Sequence, residues 1–231
     1  MVNVSFSKKK LTKFEFKLNH HHKTNTMQRV ATIMLNNWSK LMQKYEIPLE
    51  ESRTKFFDIA MRYAQRGRYY HTAKHLSQLF LLLEKVEEKL THPQAVLWAV
   101  FYHDIIYNPL RKDNEERSAK YARKVMRQLH IPEATITLTE QLILATQHHI
   151  APPDALPDFY YFLDADLAIL GAKHEKYDIY AKAIRKEYRL IPDFMYRPGR
   201  KRVLEQLLAK PSLFYTPPFF KRFEANAREN M

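Results

Sequence analysis

Cysteine is absent from the 231 residues, which removes disulfides, thiolate metal ligands and thiol nucleophiles and leaves nitrogen and oxygen as the only metal donors. Glycine is nearly as scarce, 3 residues against 12 prolines, so tight hairpins have little to be built from and helices joined by proline-marked turns are expected. Long apolar runs are missing too. The longest, Ala95–Tyr102, falls far short of the ~20 residues that cross a bilayer, and the N-terminus has no apolar core of a secretion signal. A soluble, cytoplasmic chain without a membrane span is expected.

Acidic residues are the minority charge, 25 against 38 basic ones, for a net charge of +13. Such an excess favours phosphate-rich partners: nucleotides, nucleic acid or an anionic membrane surface. Part of it sits in residues 1–26, where six lysines face Glu15 alone. That stretch lacks a helical apolar period, and Phe14–Leu18 alternates like a strand with nothing beside it to pair with. Residues 1–26 are therefore expected to form a mobile basic arm, with His20, His21 and His22 solvated upon it, ahead of one all-α domain over 27–231.

From Met27 onward the apolar spacing is helical. Val30, Met34, Trp38, Leu41 and Tyr45 make one stripe before Pro48, and Phe56, Phe57, Ala60 and Tyr63 make a second that ends near Gly67. A helix is expected over Thr72–Leu90, and another from Pro93 whose apolar residues run almost all round it, which predicts a buried central helix. Asp113 and Glu116 have the spacing of a capping box. Further helices are expected near Thr135–His149, Tyr160–Leu170 before Gly171, Lys176–Tyr188, Arg200–Lys210 and Pro218–Asn230. No repeat and no sheet pattern is present.

The sharpest chemical signal is His103-Asp104, two polar residues at the end of the apolar run Val96–Tyr102. Buried without partners they would be costly, and a metal ion would supply one. A lone His-Asp pair more often only ends a helix. This one is not alone, because Arg68-Tyr69-Tyr70-His71-Thr72-Ala73-Lys74-His75 precedes it and Leu163-Asp164-Ala165-Asp166-Leu167 follows, so three helices can aim ligands at one centre. Imidazole with carboxylate suits Mn, Co, Ni, Zn or Fe, with Mg also admitted.

These residues resemble the HD superfamily, whose pattern is a His on one helix, a His-Asp pair on a second and an Asp on a later one. The likeness extends over nearly all of Met27–Asn230 to a bacterial family of HD phosphohydrolases, through Tyr70–His75, His103–Tyr107, Asp113–Ala119, Phe162–Gly171, Ile184–Tyr188 and Gly199-Arg200. It implies a single HD-type helical bundle holding one divalent metal through His75, His103, Asp104 and Asp166. Asp166 is preferred to Asp164 for its Ala-Asp context, although Leu167 replaces the family's basic residue, and His75 is preferred to His71 because it leads into a helix.

What the resemblance further implies is hydrolysis of a small phosphorylated substrate, with nucleotides favoured, through water activated by the metal. Asp104 would bind metal and orient the water, while Glu115 and Glu116 are the acid/base candidates. Substrate contacts are expected from His71 and His149, and phosphate clamps from Arg68, Lys112, Arg185 and Arg200. Two other readings share the scaffold: a di-iron oxygenase drawing on extra histidines, and a nucleotide- or RNA-binding module with a structural metal.

Overall fold

The computed structural model describes residues 21–231, and among them the chain is all-helical, with ten α-helices and no strand. In chain order these are α1 His21–Lys44, α2 Leu49–Tyr63, α3 Ala73–Leu83, α4 Pro93–Tyr102, α5 Asn114–Gln128, α6 Glu133–Ala145, α7 Pro157–Leu167, α8 His174–Glu187, α9 Asp193–Leu208 and α10 Pro217–Asn230. A 3₁₀ segment, Glu84–Lys89, follows α3.

The expected central helix is α4. Ala95, Val96 and Trp98 through Tyr102 are buried, and α4 lies against α1, α3, α5, α6 and α7. Its apolar residues leave no face for water, so neighbours must cover every side. On α1 the expected stripe points inward through Val30, Met34, Trp38 and Leu41. The Trp38 ring meets Trp98 and Phe101 edge-on at 5.6 and 5.3 Å, while its indole N–H donates to Ser52 Oγ at 3.0 Å on α2. An apolar anchor is thereby given a polar partner at its one wet end.

Several boundaries differ from the expectation. Among the described residues helix α1 runs from His21 rather than from Met27. Residues 25–29 are exposed and burial starts only at Val30, which is why no apolar period announced those turns. The alternating Phe14–Leu18 stretch and His20 lie outside the described residues. On α2, Phe57 is exposed, and the inward residues are Ser52, Ile59 and Tyr63. The expected continuous helix Thr72–Leu90 breaks at Leu83, with Val86 at non-helical angles.

Two further corrections concern polar residues. Asp113 precedes α5 without a side-chain cap bond, so the capping box does not form. Its carboxylate instead takes two bonds from the Arg111 guanidinium at 2.7 and 2.6 Å. Helix α9 starts at Asp193, not Arg200, and carries Pro198 inside it. A proline lacks one backbone donor, and an exposed helix tolerates that loss because water reaches the freed carbonyl.

Gly171 closes the turn after α7, where an added Cβ would lie 2.3 Å from the Phe223 carbonyl oxygen on α10. Gly171→Ala is therefore expected to push α10 outward and cost about 1–3 kcal/mol. The urea midpoint would fall with the slope unchanged, and an unaltered midpoint would show that α10 adjusts freely.

Candidate metal centre

Residues from three separate helices meet beside α4. His75 sits in the first turn of α3, His103 directly follows α4, and Asp166 is near the end of α7. His75 Nε2 lies 3.1 Å from His103 Nε2 and 3.1 Å from Asp166 Oδ1. Asp104 Oδ2 stands 3.1 Å from His103 Nε2 and 3.8 Å from His75 Nε2. The His75, His103 and Asp166 donor atoms all fall within 4.8 Å of one another. A transition metal binds these atoms at ~2.0–2.2 Å, which sets neighbouring ligand atoms roughly 3 to 3.5 Å apart.

The donor chemistry fits a cation. His103 Nδ1–H donates to the Val100 carbonyl at 3.1 Å, which turns Nε2 toward the cluster. Two imidazole nitrogens facing each other need a proton or a metal between them. Burial lowers the His103 pKa, yet the carboxylates of Asp104 and Asp166 outweigh it and raise the group to about 9. Burial alone would raise the Asp104 carboxyl, but the imidazoles of His103, His71 and His75 hold it well below the usual range. Asp166 is likewise held well below by His149, His75 and His103 against its burial. The cluster thus favours positive charge where these groups meet.

A surrounding set of bonds fixes the ligands. His149, whose φ of 49° lies in the left-handed region, turns its ring back so that Nε2 stands 3.0 Å from Asp166 Oδ2. His71 places Nε2 at 3.9 Å from Asp104 Oδ2. Its other nitrogen, Nδ1, lies 2.7 Å from Glu187 Oε2 on α8. Arg68 is buried and donates to the carbonyls of His71, Asp104 and Ile105 at 3.3, 2.7 and 3.0 Å. Its guanidinium therefore positions the His-Asp turn, and the sequence-based assignment of a phosphate clamp gives way to that role.

The remaining sequence candidates divide by distance from the cluster. Glu115 faces it: burial raises its carboxyl pKa, and the Asp104 charge adds to that, with His149 and His103 pulling the other way. Glu116 is exposed one residue on, as is Lys112. Arg185 stitches α8 to α9 by bonding Asp193 Oδ1 and the Tyr188 and Ile191 carbonyls at 2.8, 2.9 and 3.1 Å, away from the cluster. Arg200 donates to Tyr180 Oη at 3.0 Å. The Tyr180 ring packs on Tyr70 at 4.6 Å, and Tyr70 packs on His75 at 4.8 Å.

Sequence reasoning gave no role to Glu187, Asn114 or Ser118. Glu187 accepts the backbone N–H groups of Tyr69, Tyr70 and His71 at 2.7, 2.7 and 3.0 Å, and the Tyr107 hydroxyl at 2.8 Å. In the fold Glu187 lies on the buried stripe of α8 with Tyr177, Tyr180 and Ile184. Asn114 bonds both backbone groups of Asn108, and Ser118 both of Ile106, so α5 pins the loop that follows His103-Asp104. Asp164, the alternative ligand, instead accepts Tyr215 N, Thr216 N and Thr216 Oγ1 at 2.8, 2.8 and 2.6 Å, which tethers the start of α10.

No helix among the described residues is long and apolar enough to cross a membrane. Comparison with protein-family models, with curated proteins and with solved structures finds no match to this chain, so the likeness to HD enzymes rests on His75, His103-Asp104, Asp166 and the segments around them.

Proposed function

We propose that the chain is a metal-dependent phosphohydrolase of the HD type, acting on a nucleotide or related phosphoester. The observation that carries this reading is the convergence of His75, His103 and Asp166 in the interior, with Asp104 Oδ2 3.1 Å from His103 Nε2. A divalent ion held by these four side chains would polarise a phosphoryl oxygen and acidify a coordinated water. Asp104, kept ionised by three imidazoles, would help hold the ion and orient that water. Glu115, with its carboxyl pKa raised, holds a proton for the leaving oxygen. His71, fixed by Glu187 through Nδ1, directs Nε2 toward Asp104 and the approaching phosphate, and the net charge of +13 draws anionic substrates in.

The reading is tested by phosphate or pyrophosphate release from nucleoside mono-, di- and triphosphates, cyclic nucleotides and a generic phosphoester, each with Mn, Co, Ni, Zn and Mg. Release that requires metal supports it. A silent panel with metal bound contradicts it and favours the di-iron oxygenase, whose mark would be two irons per chain and a need for dioxygen. Nucleic-acid binding that weakens steeply with salt and ignores Asp104→Ala would instead favour the binding module.

Within this reading the two neighbouring glutamates separate. Glu115→Gln is expected to slow turnover by roughly 10²–10⁴-fold, the usual contribution of a general acid. Glu116→Gln is expected to stay within about twofold of wild type, because its side chain is exposed and a surface substitution changes little. Equal losses in both variants would remove Glu115 from the mechanism.

A further inference from the structure

Helix α9 has no buried residue along its length, an unusual condition for a helix carrying this many apolar side chains. Leu190, just before it, is 73% exposed, Phe194 77% and Met195 59%. These three lie within one and a half turns and form an apolar tip. Isolated apolar residues on a surface are ordinary, whereas a contiguous exposed group at one end of a helix marks an interaction surface.

Cations surround the tip. Arg197, Lys201 and Arg202 follow on the exposed turns of α9, and Arg189 precedes it with a bond to Tyr69 Oη at 3.1 Å. Two of these cations pair within the helix, Arg197 with Asp193 at 3.6 Å and Lys201 with Glu205 at 3.7 Å, and the surface stays basic because cations outnumber the two acids. A groove of about 440 Å³ opens along the same helix, lined by Tyr196, Leu204 and Leu208 together with Arg197, Arg200, Lys201 and the acidic Glu205. Exposed apolar side chains beside a net basic surface suit an anionic bilayer, with the apolar tip among acyl chains and the cations against headgroups.

We infer that α9 and the turn before it dock the protein on an anionic lipid surface, through insertion of Leu190, Phe194 and Met195 and charge pairing by the surrounding arginines and lysines. The alternatives fit less well. A second copy of the chain would set the same cations against one another across a two-fold axis, and single-stranded RNA would use the cations and an aromatic ring but leave Leu190 and Met195 without a partner. The inference does not depend on the metal centre.

The test is sedimentation of the full chain with vesicles of phosphatidylcholine alone and of phosphatidylcholine with phosphatidylglycerol. The account predicts pelleting with the anionic vesicles, little with the neutral ones, and release by salt. The double variant Phe194→Glu, Met195→Glu is expected to weaken binding by at least about tenfold, with its circular-dichroism melt unchanged because neither side chain is buried. Three results would overturn the inference: equal pelleting on both vesicle types, pelleting indifferent to the double variant, or no pelleting. A tip-dependent dimer on gel filtration, or tip-dependent binding of an RNA oligonucleotide without lipid binding, would assign the surface to that partner instead.

Discussion

Asp104→Ala is expected to reduce metal-dependent phosphate release by on the order of 10³-fold while moving the melting temperature by only a few degrees. Asp104 Oδ2 lies near His103, His75 and His71, so its loss removes a proposed metal ligand and the group that would orient the water. The backbone is held separately, through its carbonyl and that of Ile105 on the Arg68 guanidinium, so the turn keeps its shape. Asp164→Ala should behave in the opposite way. That carboxylate carries three bonds to the start of α10, and removing it leaves buried donors unpaired at a cost of about 3 kcal/mol, with the ligands themselves intact. A paired measurement of turnover and melting separates the two aspartates. Asp104→Ala with near-normal turnover, or Asp164→Ala with a normal melt, would break the assignment.

The second large effect is expected at Glu187. Its Oε1 takes three consecutive backbone N–H groups and its Oε2 takes the Tyr107 hydroxyl and faces His71 Nδ1. Glu187→Ala strands those donors in a buried place and frees the segment that leads into His75. A cost of about 3–5 kcal/mol follows, which for a chain of this size lowers the melting temperature by roughly 10 °C. Glu187→Gln should cost less, because its amide oxygen can still accept from the three backbone groups. Its amide N–H₂ would then face His71 Nδ1, which must become the acceptor, so the ring would switch tautomer.

The effect depends on pH with a definite sign. Burial pushes the Glu187 carboxyl up, but His71 and the Tyr70 and Tyr69 amides outweigh that and hold it at about 2. A folded pKa below the ordinary value of about 4.3 means that the ionised carboxylate contributes stability fully above that ordinary value. The contribution is lost as pH falls toward about 2. The difference in unfolding free energy between wild type and Glu187→Ala should therefore be constant near neutrality and shrink below about pH 4.3. A difference that grows on acidification would contradict the assignment.

How far the molecule could be read beforehand follows from the physics of each residue. The central helix was legible because Ala95–Tyr102 has no polar face, and such a helix must be buried whatever its neighbours. His103 and Asp104 were legible because two polar groups ending that run required an explanation, whereas Asp164 and Asp166 interrupt their helix alike and only the Ala-Asp context of the resemblance singled out Asp166. The helix start at His21 was invisible, since exposed turns need no apolar period. Glu187 was hidden for a different reason: a carboxylate in a lysine- and arginine-rich helix reads as a solvated face until Tyr69–His71 present their donors to it. Arg68 was misassigned because a guanidinium suits phosphate and peptide carbonyls equally, and only the fold shows that three carbonyls reach it first.

The metal centre itself is most directly tested by calorimetric titration of the metal-stripped chain with Mn²⁺ or Zn²⁺, alongside Asp166→Ala. The account predicts one ion taken up per chain at His75, His103, Asp104 and Asp166, with proton release as His103, raised to about 9, gives up its proton to the incoming cation, and uptake sharply weakened in the variant. No uptake by the wild-type chain, or uptake that Asp166→Ala leaves unchanged, would contradict it.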